Sequence, residues 1–169
     1  MVDETEAARR SALAGYGVLD SPNEAEFDRI VRDAAAALGT PIALISLIDD
    51  DRQWLKARVG LSAAETPRSI SFCTHTIRGG EVMIVPDARE DERFSDNPLV
   101  TGDPDIRFYA GAPLTTPAGT RIGTICVLDD KPRDRLRPGD ARKLERLAER
   151  TVQAMEDRRR DRAAAAARA

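Results

Sequence analysis

Between Asp20 and Pro41 the apolar residues recur at helical spacing, with Phe27, Ile30, Val31, Ala34 and Leu38 on one stripe. Ser21, Pro22 and Glu24 predict where that helix starts. They supply a capping serine, a proline for the first turn and the glutamate of a Ser-x-x-Glu capping box. Gly39 suits the left-handed conformation that ends a helix, and Pro41 blocks its continuation. A shorter helix precedes it, over ETEAARRSALAGYGVLD, ending near Gly15. The period then changes. PIALISLIDD is a continuous apolar run closed by acids, as expected of a strand buried on both faces. Asp49, Asp50 and Asp51 mark a turn. In RQWLKARVG, Leu55, Ala57 and Val59 alternate with Trp54, Lys56 and Arg58. That predicts a second strand with one wet face, paired to the first as a hairpin.

Beyond it, SFCTHTIRGG reads as a short helix stopped by Gly79 and Gly80, and VMIVPDA as a short strand ended by Pro86. REDERFSDNPLVTGDPD has little period, and connections of this length within one domain are often functional. IRFYAGAPL and RIGTICVLDD predict two further strands joined through the TTPAGT turn. RPGDARKLERLAERTVQAMEDRR predicts a long helix with a narrow stripe of Leu144, Leu147, Ala148, Thr151, Val152 and Met155. Arg137 stands before Pro138 where a capping Ser or Thr is expected, so the helix start is expected either to fray or to be capped by Asp134. Strand hairpins with helices at both ends predict an α+β domain built on an antiparallel sheet.

Composition narrows the picture. The 169 residues suffice for one domain with a real core, and aromatics at 4% leave that core to aliphatic side chains. A net charge of −3 gives no general attraction to nucleic acid or an acidic membrane surface. No apolar run approaches the roughly 20 residues that span a bilayer. The charged start, MVDETEAARRS, has no secretory pattern. Two cysteines make no disulfide framework, so the expected setting is the reduced cytoplasm. The Arg- and Ala-rich end, residues 157–169, reads as a fraying tail.

Several longer motifs resemble one bacterial subgroup of GAF domains, small sensor modules related to PAS domains. They are YGVLDSP, DDRQWLKARVGL, SFCTHTI, VPDAREDERFSDNPLV, IRFYAGAPL and IGTICVLDDKPR. The resemblance implies a five- or six-stranded antiparallel sheet, with the N- and C-terminal helices on one face and a ligand-type pocket on the other. It divides the chain into an N-terminal helical segment (1–20), a GAF domain (21–156) and the tail. It also implies a stand-alone sensory domain that binds an unidentified small molecule and forms a homodimer through its helices. A separate signalling partner such as a kinase would receive the signal.

The chemistry centres on Cys73 and His75, two residues apart. On a helix such residues point to nearly opposite sides, which does not suit a thiolate–imidazole pair. The plainer reading is that Cys73 packs as a small apolar residue and His75 is a helix or pocket-wall residue. Bilin-attaching relatives place histidine directly after the cysteine, whereas Thr74 intervenes here. The Asn-Lys pair of cyclic-nucleotide relatives is absent, one histidine is thin support for haem, and two cysteines with one histidine are too few for structural zinc. No cofactor or metal is expected. One catalytic alternative stays open, a thiol-dependent free methionine-(R)-sulfoxide reductase using Cys73. Cys126, inside a predicted strand, does not match that family's resolving cysteines. A ligand-free structural dimerisation domain is the third reading.

In the long connection, Asp87, Arg89, Arg93, Asn97, Asp105, Arg107 and Tyr109 are polar candidates for the pocket mouth, or else for tying the loop down. Phe72, Phe94, Phe108 and Tyr109 are candidate apolar walls. Arg107 and Tyr109 share a strand face, so Arg107 is a candidate for an anionic ligand group. The expected ligand-binding set is Phe72, Cys73, His75, Asp87, Phe94, Arg107 and Tyr109.

Overall fold

The computed structural model describes residues 4–169, so the first three residues of the predicted N-terminal helical segment lie outside the described residues. Six strands form one sheet: β1 (Ile42–Ile48), β2 (Arg52–Val59), β3 (Glu65–Pro67), β4 (Met83–Val85), β5 (Phe108–Thr115) and β6 (Arg121–Asp129). Their spatial order is β3-β2-β1-β6-β5-β4, and every pairing is antiparallel. Helices α1 (Glu4–Gly15), α2 (Ala25–Leu38) and α5 (Asp140–Arg168) cover one face. The opposite face is covered by the one-turn helices α3 (Cys73–Thr76) and α4 (Pro98–Thr101) with their loops.

The two faces follow from alternation along the central strands. Ala43, Ile45 and Leu47 of β1 and Ile125 and Val127 of β6 pack against the helices, with Phe27, Ile30, Ala34 and Leu144. Ile42 and Leu44 of β1 and Cys126 and Leu128 of β6 face the other way, beneath Phe72, Cys73 and Phe94. Phe108, one of the four aromatics expected at the pocket, belongs to the helix side, where the Arg133 guanidinium lies 5.3 Å from its ring centre.

Strand β2 departs from the wet-face expectation. Gln53 through Ala57 are all buried, and Lys56 is 1% exposed. Ile45 lies opposite Ala57 while Ser46 lies opposite Leu55, so Lys56 is the extra residue of a bulge. The Lys56 ammonium reaches the helix side, where it donates to Ser21 Oγ at 2.8 Å, to the Pro22 carbonyl at 2.7 Å and to the Glu24 carboxylate. That explains a second departure. Ser21 does not cap α2, because its hydroxyl donates to the Val18 carbonyl and accepts from Lys56. Helix α2 begins at Ala25, with Glu24 at the cap position and no side-chain cap bond. Its other end follows the prediction, since Gly39 takes a φ of 66° and its N–H bonds to the Ala35 carbonyl.

Helix α5 begins at Asp140 after Gly139, and Asp134 does not cap it. The Asp140 carboxylate instead folds back to accept from the Arg137 backbone N–H at 3.3 Å and the Arg137 side chain at 3.1 Å. The helix continues to Arg168, through the residues read as a tail. Arg158 bonds to Glu24 at 2.8 Å, and Arg162 to the Gly17 carbonyl at 2.9 Å, which fastens this part of α5 to the α1–α2 junction. No described helix is long and apolar enough to cross a membrane.

Candidate functional site

Between the sheet and its irregular cover lies a cavity of about 150 Å³. Its floor is Ile42 and Leu44 of β1, Gln53 of β2, Tyr109 of β5 and Cys126 and Leu128 of β6. Leu61, Phe72, Cys73, Leu99 and Ile106 wall it from the cover. Among the lining residues Ser62 and Asp103 are the exposed ones, which places the mouth beside them. The cavity is small beside the roughly 300–1,000 Å³ of sites for drug-sized molecules, so it suits a small and largely apolar ligand. A wider groove between α2 and α5 is open to solvent, and Glu24 and Arg158 in it are already paired.

Three of the expected site residues meet in the cavity, namely Phe72, Cys73 and Tyr109. The Tyr109 ring occupies space left by Gly111, where a Cβ would stand 2.2 Å from the Tyr109 hydroxyl. Phe94 lies behind Phe72, stacked at 4.0 Å with an interplanar angle of 6°, and is outside the lining. His75 meets the edge of Phe94 at 4.9 Å, turned away from the cavity, and burial with the nearby Arg78 and Arg93 pushes its pKa down. Cys73 and His75 therefore point apart, as helical spacing requires. Asp87 and Arg107 bind each other through two bonds of 2.7 Å, away from the cavity. Arg107 thus has its guanidinium engaged by a carboxylate and does not face the space above Tyr109.

Other polar residues of the long connection organise its backbone. Asp87, Asp91 and Asn97 each accept from the N–H two residues on, at 3.1, 3.0 and 2.9 Å. Asn97 also donates to the Ile70 carbonyl at 2.9 Å, tying the connection to the segment before α3.

Apart from Tyr109, sequence reasoning missed the sheet residues of the site. Thr124, Cys126 and Leu128 alternate along β6 and face the cavity side, with Leu44 opposite Cys126 on β1 and Gly111 opposite it on β5. A count by twos along β6 would have linked Cys126 to Thr124 and Leu128. It could not have shown that Cys73 lies above them. The Cys73 and Cys126 sulfurs are 3.9 Å apart, and both cysteines are free thiols.

Several donors converge on Cys73 Sγ. The Thr124 hydroxyl donates at 3.0 Å, and the Tyr109 hydroxyl at 3.4 Å while accepting from Thr76 at 2.7 Å. Burial pushes the Cys73 thiol up, but bonds from Cys126, Thr124 and Tyr109 together outweigh it and bring the pKa down to about 7. Its contact with Cys73, and then burial, raise the Cys126 thiol well above its usual range. Burial, followed by the neighbouring sulfurs, raises Tyr109. The sign of the linkage is that of a depressed acid. Cys73 stabilises the fold fully above its ordinary value of 9.0, and that contribution is lost as pH falls through about 7. Thiolate ultraviolet absorbance is therefore expected to rise through pH of about 7 in the native protein and at higher pH in Thr124→Val. An unchanged midpoint in the variant would show that the hydroxyl does not hold the sulfur.

The GAF domain model matches residues 22–155, which covers the whole sheet, the cavity and most of the helical face. The chain belongs to the GAF domain family. It is 45% identical over 145 residues to a cyclic di-GMP phosphodiesterase of Pseudomonas aeruginosa, a match covering 86% of this chain and 25% of that protein. The chain thus spans about a quarter of that relative's length. Among solved structures, the GAF domain of an Acinetobacter phosphoenolpyruvate-protein phosphotransferase superposes with a TM-score of 0.66 at 18% identity, covering 92% of this chain and 95% of that one. The free methionine-R-sulfoxide reductase of Neisseria meningitidis, solved with its substrate, gives 0.65 at 18% identity, with 95% of each chain covered. At such identities the likeness is one of fold.

Proposed function

We propose that this GAF domain is a sensory module that holds a small, mostly apolar molecule in the cavity and passes its occupancy to α5. The observation that carries the reading is the cavity itself, an apolar space with a few polar groups, among them Gln53, Thr66 and Tyr109, closed by an irregular cover. A path for the signal starts at β2. Gln53 lines the cavity, and Lys56 three residues on holds Glu24, which holds Arg158 of α5. A ligand that favours one arrangement of this chain of contacts shifts the helix population toward it. The output is a second copy joined through the helices, or a neighbouring signalling domain. The Pseudomonas aeruginosa relative supports control of cyclic di-GMP turnover as the setting.

The test is a native mass spectrum of protein purified without reductant, followed by a melting screen against small metabolites. A retained mass released on denaturation, or a ligand-dependent melting shift lost in Ala63→Trp at the cavity wall, is the expected result. A bare mass with no shift across the screen would overturn the reading and leave a structural dimerisation domain. The reductase alternative makes a separate demand, methionine formed from free methionine-(R)-sulfoxide and abolished by Cys73→Ser. The sensory reading expects none.

A further inference from the structure

We propose that Cys73 and Cys126 form a hydroperoxide-sensitive dithiol that closes to an intramolecular disulfide inside the cavity. This goes beyond the sensory reading and does not depend on which ligand the cavity takes. The two cysteines are 53 residues apart in sequence, yet their sulfurs lie 3.9 Å apart. Both line the same cavity, which gives a small hydroperoxide a way in from the Ser62–Asp103 side. A disulfide requires the sulfurs to approach by about 2 Å. Cys126 sits in β6, hydrogen-bonded between β1 and β5, and cannot travel far. Cys73 sits on the single turn of α3, followed by Gly79 and Gly80, so the approach falls to its side chain and that turn.

The surroundings assign the roles. Hydroxyls of Thr124 and Tyr109 point at Cys73 Sγ and support a thiolate there. The Cys126 sulfur lies 3.9 Å from Cys73 Sγ, and that contact and burial favour its protonated form, which makes it the resolving thiol. In the first step the Cys73 thiolate attacks the hydroperoxide. A sulfur–oxygen bond forms, the oxygen–oxygen bond breaks, and the departing alkoxide takes the proton released when Cys73 ionised, leaving as an alcohol. Cys73 is oxidised to the sulfenic acid and the peroxide is reduced. In the second step Cys126 attacks the Cys73 sulfur. The sulfur–sulfur bond forms, the sulfur–oxygen bond breaks, and hydroxide leaves as water with the Cys126 proton. The sum is two thiols and one hydroperoxide giving a disulfide, an alcohol and water. Closure removes the anion that Thr124 and Tyr109 bind, so the oxidised and reduced domains differ at the cavity wall.

The experiment treats the reduced, folded chain with tert-butyl hydroperoxide, then denatures, alkylates and maps it. The expected product has lost two hydrogen atoms, is alkylated at neither cysteine, yields a Cys73–Cys126 linked peptide, and reverts with dithiothreitol. Cys126→Ser is expected to stop at a Cys73 sulfenic acid trapped by dimedone, and Cys73→Ser to leave Cys126 unreacted at the same dose. The wild-type map decides the matter even if a variant folds poorly. Oxygen added to Cys73 with Cys126 still alkylatable would overturn the proposal. So would linkage between chains, or two fully alkylated thiols.

Discussion

Gly123→Ala is expected to destabilise the fold by about 3 kcal/mol or more, a large share of the roughly 5–15 kcal/mol that holds a domain together. Gly123 lies in β6, opposite Leu47 of β1 and Leu114 of β5. A Cβ there would stand 2.0 Å from the Ser46 carbonyl oxygen and 3.0 Å from Leu47 Cα. Both atoms are backbone of the adjoining strand, so no side chain can turn aside to admit the methyl. The strands must separate, and hydrogen bonds between β1 and β6 are lost with the packing on both faces. Gly79→Ala is the control, because a Cβ at Gly79 meets nothing within 4 Å. That variant should stay within about 0.5 kcal/mol of the parent. Urea unfolding midpoints measure both, and equal midpoints would mean that β1 and β6 tolerate a wider spacing than the structure has.

The second large effect concerns Glu24. Glu24→Ala is expected to cost about 2–3 kcal/mol, because it leaves a buried ammonium and Arg158 without their shared carboxylate. Burial pushes the Lys56 ammonium down even with Glu24 attached, so desolvation already outweighs what the carboxylate returns. Removing the carboxylate makes that imbalance worse. Removing the lysine does not, since Glu24 keeps Arg158 and is partly exposed. Lys56→Met should therefore lie within about 1 kcal/mol of the parent, and adding it to Glu24→Ala should recover much of the loss. Thermal and urea unfolding of the four proteins check the order. A Lys56→Met variant as weak as Glu24→Ala would show that the ion pair itself, rather than the stranded charge, carries the stability.

The same residues separate what was readable in advance from what was not. The stripe of Phe27, Ile30, Val31, Ala34 and Leu38 gave α2, and Gly39 its end, because both depend on interactions within one or two turns. Its start was misplaced because Ser21 serves Lys56, a residue 35 positions away. The aromatic candidates divided in the same way. Phe72 and Tyr109 reach the cavity, whereas Phe108, adjacent to Tyr109, takes the opposite face of β5. Arg107 was legible as a charged residue near the sheet, but its engagement with Asp87 depends on how the connection between them folds back.

By itself the sequence determined five of the six strands, the flanking helices and the antiparallel α+β plan, because periods of two and 3.6 residues are local properties of the chain, whereas the three-residue β3 is too short to show a period. Tertiary structure decided which face each critical side chain joins. The expected wet face of β2 is the one the helices cover, so Lys56 joins Trp54 in the helix-side core, and the extra residue of the bulge brings Ala57 and Val59 to the same side, since a single-residue shift exchanges the faces of a strand. Pairing of β6 with β1 and β5 also fixed Cys126 beneath Cys73. No short-range pattern encodes that contact, because the 53 residues between the two cysteines set it only when they fold together.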